Sequence, residues 1–164
     1  MRGFFLGVVA AAGLAVQPAL AAGTCSSPAD QALFEVLALR SELTILGLQC
    51  RDNDRYAAVI RRYQPDLNNN AGAVVTWFRG RFGGRGLYEH DKFVTEMGQA
   101  HAADASRLGG DFCARNGAIF EEVMALRSGL ELAPYAAGKD LIPAGITICP
   151  GSAAPAAVKR TGKK

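Results

Sequence analysis

Residues 27–50 read SPADQALFEVLALRSELTILGLQC, and this stretch decides the fold class. Ser27 can cap a helix with its hydroxyl. Pro28 suits the first helical position, where an amide would go unpaired, and Asp30 suits the positive end of the helix dipole. Leu33, Leu37, Arg40/Ser41, Leu43/Thr44 and Leu48 then recur on one helical stripe, and Phe34, Val36, Leu39, Ile45 and Leu46 widen it. The pattern predicts a well-buried first helix running to about Leu48–Cys50.

The same periodicity continues downstream, with no strand pair and no internal repeat. Asp52-Asn53-Asp54 is a second start signal, followed by Tyr56, Val59, Ile60 and Tyr63 on an inner face. Gln64-Pro65 restarts a third helix carrying Leu67, Ala71, Val74, Val75, Trp77, Phe78 and Phe82, which ends at Gly83-Gly84. Asp91 is expected to open a fourth, with Phe93, Val94, Met97, His101, Ala105 and Leu108. Gly109-Gly110 closes it. Asp111 caps a fifth that buries Phe112, Ile119, Phe120, Val123 and Leu126. A shorter helical piece around Leu130–Ala137 precedes an extended stretch, Leu141–Pro150, punctuated by prolines.

Upstream, residues 1–21 read as a cleavable signal peptide. Arg2 is the only charge before Asp30, and Phe4, Phe5, Leu6, Val8, Val9, Leu14 and Val16 form the apolar region. Pro18 breaks it, and Ala19-Leu20-Ala21 supplies the small-x-small cleavage pattern ahead of Ala22. An uncleaved anchor is the weaker reading, because the stretch is rich in Ala and Gly and ends in a cleavage site. Acylation of Cys25 is weaker still. Thr24 precedes that cysteine, and three cysteines would be left in an oxidising compartment.

Cleavage leaves residues 22–164, enough chain for one cored domain at 22–150. Apolar residues make up 49% of the whole chain, which excludes wholesale disorder. The formal charge of +3 falls to +2 without Arg2. It falls to −2 when Lys159, Arg160, Lys163 and Lys164 of the Ala/Pro/Gly-rich tail, residues 151–164, are set aside as a disordered basic end. A near-neutral body gives no footprint for nucleic acid.

Four cysteines in an exported chain imply two disulfides. Cys25 and Cys50 flank the first helix and lie roughly 30 Å or more apart at about 1.5 Å per residue. A disulfide needs Cα atoms within about 7 Å, so this pairing and its complement Cys113–Cys149 are excluded. Cys50–Cys113 with Cys25–Cys149 is preferred over Cys25–Cys113 with Cys50–Cys149. It ties the end of helix one to the start of helix five and clips the C-terminal stretch back to the N-terminus. No Cys-x-x-Cys pair suggests zinc.

Residues 79–86 pack Arg79, Arg81 and Arg85 among four glycines. Such a segment can bind phosphate or carboxylate bidentately, or contact an envelope protein, an anionic glycan or lipid headgroups. It lacks the lysine and the preceding strand of a phosphate loop, so a helix cap and link is the plainer reading. Glu89-His90-Asp91 are consecutive and diverge on a helix, so Asp91 reads as a cap and His90 as a surface residue. His101 with Asp104 has the spacing of an acid/base pair, but equally that of a histidine at the edge of an apolar stripe. Tyr56, Tyr63, Trp77, Phe78 and Phe82 can line a pocket or fill a core. No nucleophile elbow, zinc-protease motif or dinucleotide loop is present, and with both disulfides formed no free thiol remains. No catalytic residue, metal or cofactor is assigned.

Leu48-Gln49-Cys50, Tyr56, Tyr63, Trp77-Phe78-Arg79-Gly80, Gly83-Gly84, residues 91–97 and Phe112-Cys113 resemble small exported helical proteins of proteobacteria that have no assigned function. The likeness covers about residues 30–127. It implies a periplasmic location, agrees with pairing Cys50 to Cys113, and brings no catalytic residues. The expectation is an all-α bundle of about five helices with two disulfides. It would act in the periplasm, or as a secreted protein, by interacting with or supporting an envelope component through Arg79, Arg81 and Arg85. The alternative is a carrier holding a small apolar or anionic ligand between the second, third and fourth helices.

Overall fold

Ser27 does cap the first helix: its Oγ accepts a hydrogen bond from the Asp30 amide at 3.1 Å. The computed structural model describes residues 27–148. The expected signal peptide, Cys25, Cys149 and the basic tail all lie outside the described residues, as does the expected second disulfide. Within them the chain is all helical: α1 (Pro28–Gln49), α2 (Asn53–Arg62), α3 (Gln64–Phe82), α4 (Gly86–Leu108), α5 (Asp111–Asn116), α6 (Ile119–Ala125) and α7 (Leu132–Gly138). Short 3₁₀ turns cover Gly83–Arg85 and Gly129–Glu131. No strand occurs among the described residues.

The five expected helices are all present, with two adjustments. The fourth begins at Gly86 rather than Asp91, because the Gly83–Arg85 turn leads straight into it. The fifth is interrupted at Gly117-Ala118. The Gly117 amide reaches the Cys113 carbonyl at 2.9 Å, and a Cβ on Gly117 would sit 2.7 Å from that oxygen. Asp52 caps α2 as its position requires, accepting from the Arg55 amide. Gly83 and Gly109 end α3 and α4 with φ of 55° each, a left-handed conformation that glycine adopts without cost.

α1 is the hub. It packs against α2, α3, α4 and α7, which is why its apolar residues run around most of its circumference. Leu39, Leu43 and Leu46 join a cluster with Val59, Tyr63, Leu67, Phe120 and Val123. Phe34, Leu37 and Ala38 join a second with Val74, Phe78, Phe93 and Met97. Edge-to-face ring contacts at 5.1 Å (Phe34–Trp77) and 5.3 Å (Phe34–Phe93) order the second cluster. Residues 141–148 form no helix, and Leu141, Ile142, Ile146 and Ile148 pack across that cluster.

Cys50 and Cys113 are disulfide bonded, with Cα atoms 5.6 Å apart. The bond joins the end of α1 to α5, as the preferred pairing requires. No helix among the described residues is long and apolar enough to cross a membrane.

Candidate functional site

Three of the motifs singled out in the sequence dissolve into ordinary structure. Arg79 and Arg81 fall in the last turn of α3, where their charge complements the negative helix end, and Arg85 lies in the 3₁₀ turn. All three are exposed. The Arg81 guanidinium sits over the Trp77 ring, and Arg85 pairs with Glu89. The glycines between them serve a helix end and an immediate restart.

His90 is half-buried rather than fully exposed. Its side chain is 19% exposed and meets the Phe78 ring edge-on, while Nδ1 lies 2.9 Å from Asp91 Oδ1. Asp91 is five residues into α4, so it does not cap that helix. Trp77, Phe78 and Phe82 pack against one another in the second core cluster. Tyr63 is buried and donates its hydroxyl to the Val123 carbonyl at 2.8 Å.

What does open to solvent is a cleft of about 370 Å³ between α1, α3 and α4. α1 contributes Leu37 and Ile45, α3 contributes Ala71 and Val74, and α4 contributes Val94 and Met97. Its polar groups come mainly from one strip of α1: Arg40, Ser41 and Thr44, which lie on one side of the helix at i, i+1 and i+4. His90 and Gly98 complete the wall. The cleft is not the space between the second, third and fourth helices. α1, not α2, forms its third side.

Behind Ser41 the polar strip continues into the protein. His101 is 4% exposed, with Nδ1 2.8 Å from Ser41 Oγ and Nε2 2.9 Å from the Leu141 carbonyl. A carbonyl only accepts, so Nε2 carries the proton and Ser41 donates to Nδ1. Glu42 is also buried, with Oε2 3.7 Å from Nε2, too far for a hydrogen bond. Burial pushes the Glu42 carboxyl up to about 7, with the charge of Asp104 adding to the effect. Burial likewise lowers His101, against the Leu141 hydrogen bond and the Asp104 charge. Burial thus disfavours the charged form of both groups, and the close approach is not a hydrogen-bonded ion pair. A second hollow of about 300 Å³ lies on the far side, walled by Glu42, His101, Asp104, Arg107 and residues 139–144.

His101 therefore takes the reading of a satisfied histidine at the edge of an apolar stripe. Its hydrogen bonds go to Ser41 and Leu141, and Asp104 instead pairs with Arg107 at 3.0 Å. Arg40, Ser41 and Thr44 were not singled out by sequence. The one signal for them was that they interrupt the leucine stripe of α1. Among the described residues no group of acids, histidines and cysteines is placed to hold a metal ion. No family model matches the chain, and no curated protein and no solved structure matches it.

Proposed function

We propose that the chain is an exported protein of the bacterial envelope that works by binding rather than catalysis, carrying a small apolar molecule in the α1/α3/α4 cleft. The observation that carries this reading is the cleft itself. It has a volume typical of small-ligand sites, apolar walls from three helices, and polar groups drawn from one strip of α1 and from His90. Ser41 and His101 are hydrogen bonded as a nucleophile and base would be, which invites an enzymatic reading. However, Ser41 lies in the middle of α1, where the surrounding amides bond within the helix and none is free to hold an oxyanion. Export is supported by the signal-like residues 1–21 and by the Cys50–Cys113 bond.

Native mass spectrometry of the protein recovered from its own periplasm tests the reading. Wild type should retain a non-covalent small-molecule adduct. Gly98→Leu, which fills the cleft from a position with open space beside its Cα, should lose it while keeping its helicity. No adduct on wild type, or an adduct that survives in the variant, would reject the carrier.

A second reading, contact with an anionic envelope component, is favoured by the exposure of Arg79, Arg81 and Arg85 beside exposed Leu87 and Tyr88. Replacing the three arginines with Ala should abolish partner recovery in a pull-down with helicity unchanged. Undiminished recovery would dismiss it.

A further inference from the structure

We infer that the cleft selects an amphipathic hydroxy acid: a carboxylate held by Arg40, an adjacent hydroxyl that donates to Ser41 or Thr44, and an apolar chain lying against α3 and α4. The inference rests on the carrier reading and adds the chemistry of the head group. It follows from the direction of each hydrogen bond on the α1 strip.

Ser41 has one proton, and that proton is committed inward. Leu141 fixes the His101 tautomer with hydrogen on Nε2, so Nδ1 requires a donor, and Ser41 Oγ at 2.8 Å supplies it. Ser41 can then only accept from the cleft. Thr44 is committed in the same sense: its hydroxyl donates to the Arg40 carbonyl at 2.8 Å, and Thr44 Oγ1 lies 3.4 Å from the Tyr56 hydroxyl. Both hydroxyls on the cleft wall thus present lone pairs and no proton. Arg40 is the opposite, with donors and no acceptor. It is exposed and makes no ion pair among the described residues.

An apolar molecule with a lone carboxylate would satisfy Arg40 but leave Ser41 and Thr44 facing an acceptor or a methylene. One with an ammonium donor would bring a charge to two neutral hydroxyls. A neutral hydroxyl beside the carboxylate gives its one proton to Ser41 or Thr44 while the carboxylate meets Arg40. Size limits the chain. At roughly 30 Å³ per non-hydrogen atom, about the liquid volume of one water, a cleft of about 370 Å³ takes about a dozen such atoms. Leu37, Val74, Val94 and Met97 offer the apolar surface for the tail.

The test is calorimetric titration of the mature, disulfide-bonded protein with β-hydroxyoctanoate, octanoate and octanol. β-Hydroxyoctanoate should bind tightest, and octanoate about tenfold more weakly for one hydrogen bond lost. Arg40→Ala should weaken both acids by at least tenfold and leave octanol unchanged. Thr44→Val should narrow the gap between the two acids. Ser41→Ala should do the same, but it also strips His101 of a buried partner, so the threonine variant guards against misfolding. Equal affinities for the two acids in wild type, or acids indifferent to Arg40→Ala, would overturn the inference while octanol binding leaves the carrier standing. If octanol also fails to bind, the carrier reading falls with it.

Discussion

Glu42 and His101 are both buried, and each has a charged form that water would solvate and this site does not. Their pH dependences run in opposite directions. The Glu42 carboxyl moves from an ordinary 4.5 to about 7 in the folded chain. Between those values the folded protein keeps a proton that the unfolded one releases, so stability falls as pH rises and levels off above about 7. His101 is lowered. Its contribution is present above an ordinary 6.5 and is lost as pH falls below it. Glu42→Gln isolates the first term. Urea midpoints at pH 5 and pH 8 should show the variant gaining on wild type by up to about 3 kcal/mol at the higher pH. A gap that does not change with pH would mean the carboxyl is not desolvated. Such residues were only half legible in the sequence. His101 is legible at a stripe edge, and Glu42 is not. The partner of His101, the Leu141 carbonyl, lies 40 residues away and is supplied by tertiary structure alone.

The joint between α3 and α4 is where local rules failed, and the reason is one glycine. Gly86 is buried, and a Cβ there would fall 2.5 Å from the Arg79 Cα and 2.9 Å from the Phe78 carbonyl oxygen. The α4 start must therefore press directly on the α3 backbone. Glycine has poor helix propensity, so a run of four among arginines reads as a link, and the first acidic residue after it reads as the cap. Packing, not propensity, begins the helix five residues early. Where caps are made by side chains the sequence was explicit, as Ser27 and Asp52 illustrate. Gly86→Ala should accordingly destabilise by about 1–3 kcal/mol, because backbone rather than a flexible side chain must give way. Gly84→Ala, with nothing near its Cβ and no left-handed φ, should be neutral or slightly stabilising. Thermal unfolding of the two variants separates the accounts. If both behave alike, the close approach of α3 and α4 is not what fixes Gly86.

The two core clusters meet along α1, and only one of them carries a described covalent tie. Cys50–Cys113 closes a 63-residue separation and anchors α5 to the cluster of Leu43, Leu46, Val59, Phe120 and Val123. The Phe34, Phe78 and Phe93 cluster is held by α1, α3 and α4 through packing. Helix length reduces the pairings to two, and the preferred Cys50–Cys113 requires that α5 return to the end of α1. That return is set by packing of α2 against α6, with Tyr63 reaching the Val123 and Leu126 carbonyls. The division of the molecule makes an asymmetric prediction. In Cys50→Ala/Cys113→Ala the unfolded chain regains freedom worth about 4 kcal/mol, an upper figure for a loop of this length. α5 and α6, at six and seven residues, are too short to persist without tertiary support. Hydrogen exchange should therefore speed up first in α5, α6 and the facing turn of α2, with α3 and α4 protected up to the global unfolding energy. Trp77, in the second cluster, should report a single late transition in urea. A loss under about 1 kcal/mol, or protection falling equally in α3 and α6, would mean that α2 and α6 hold the return unaided. The disulfide would then be a redundant clasp on a topology already fixed by Tyr63 and its neighbours.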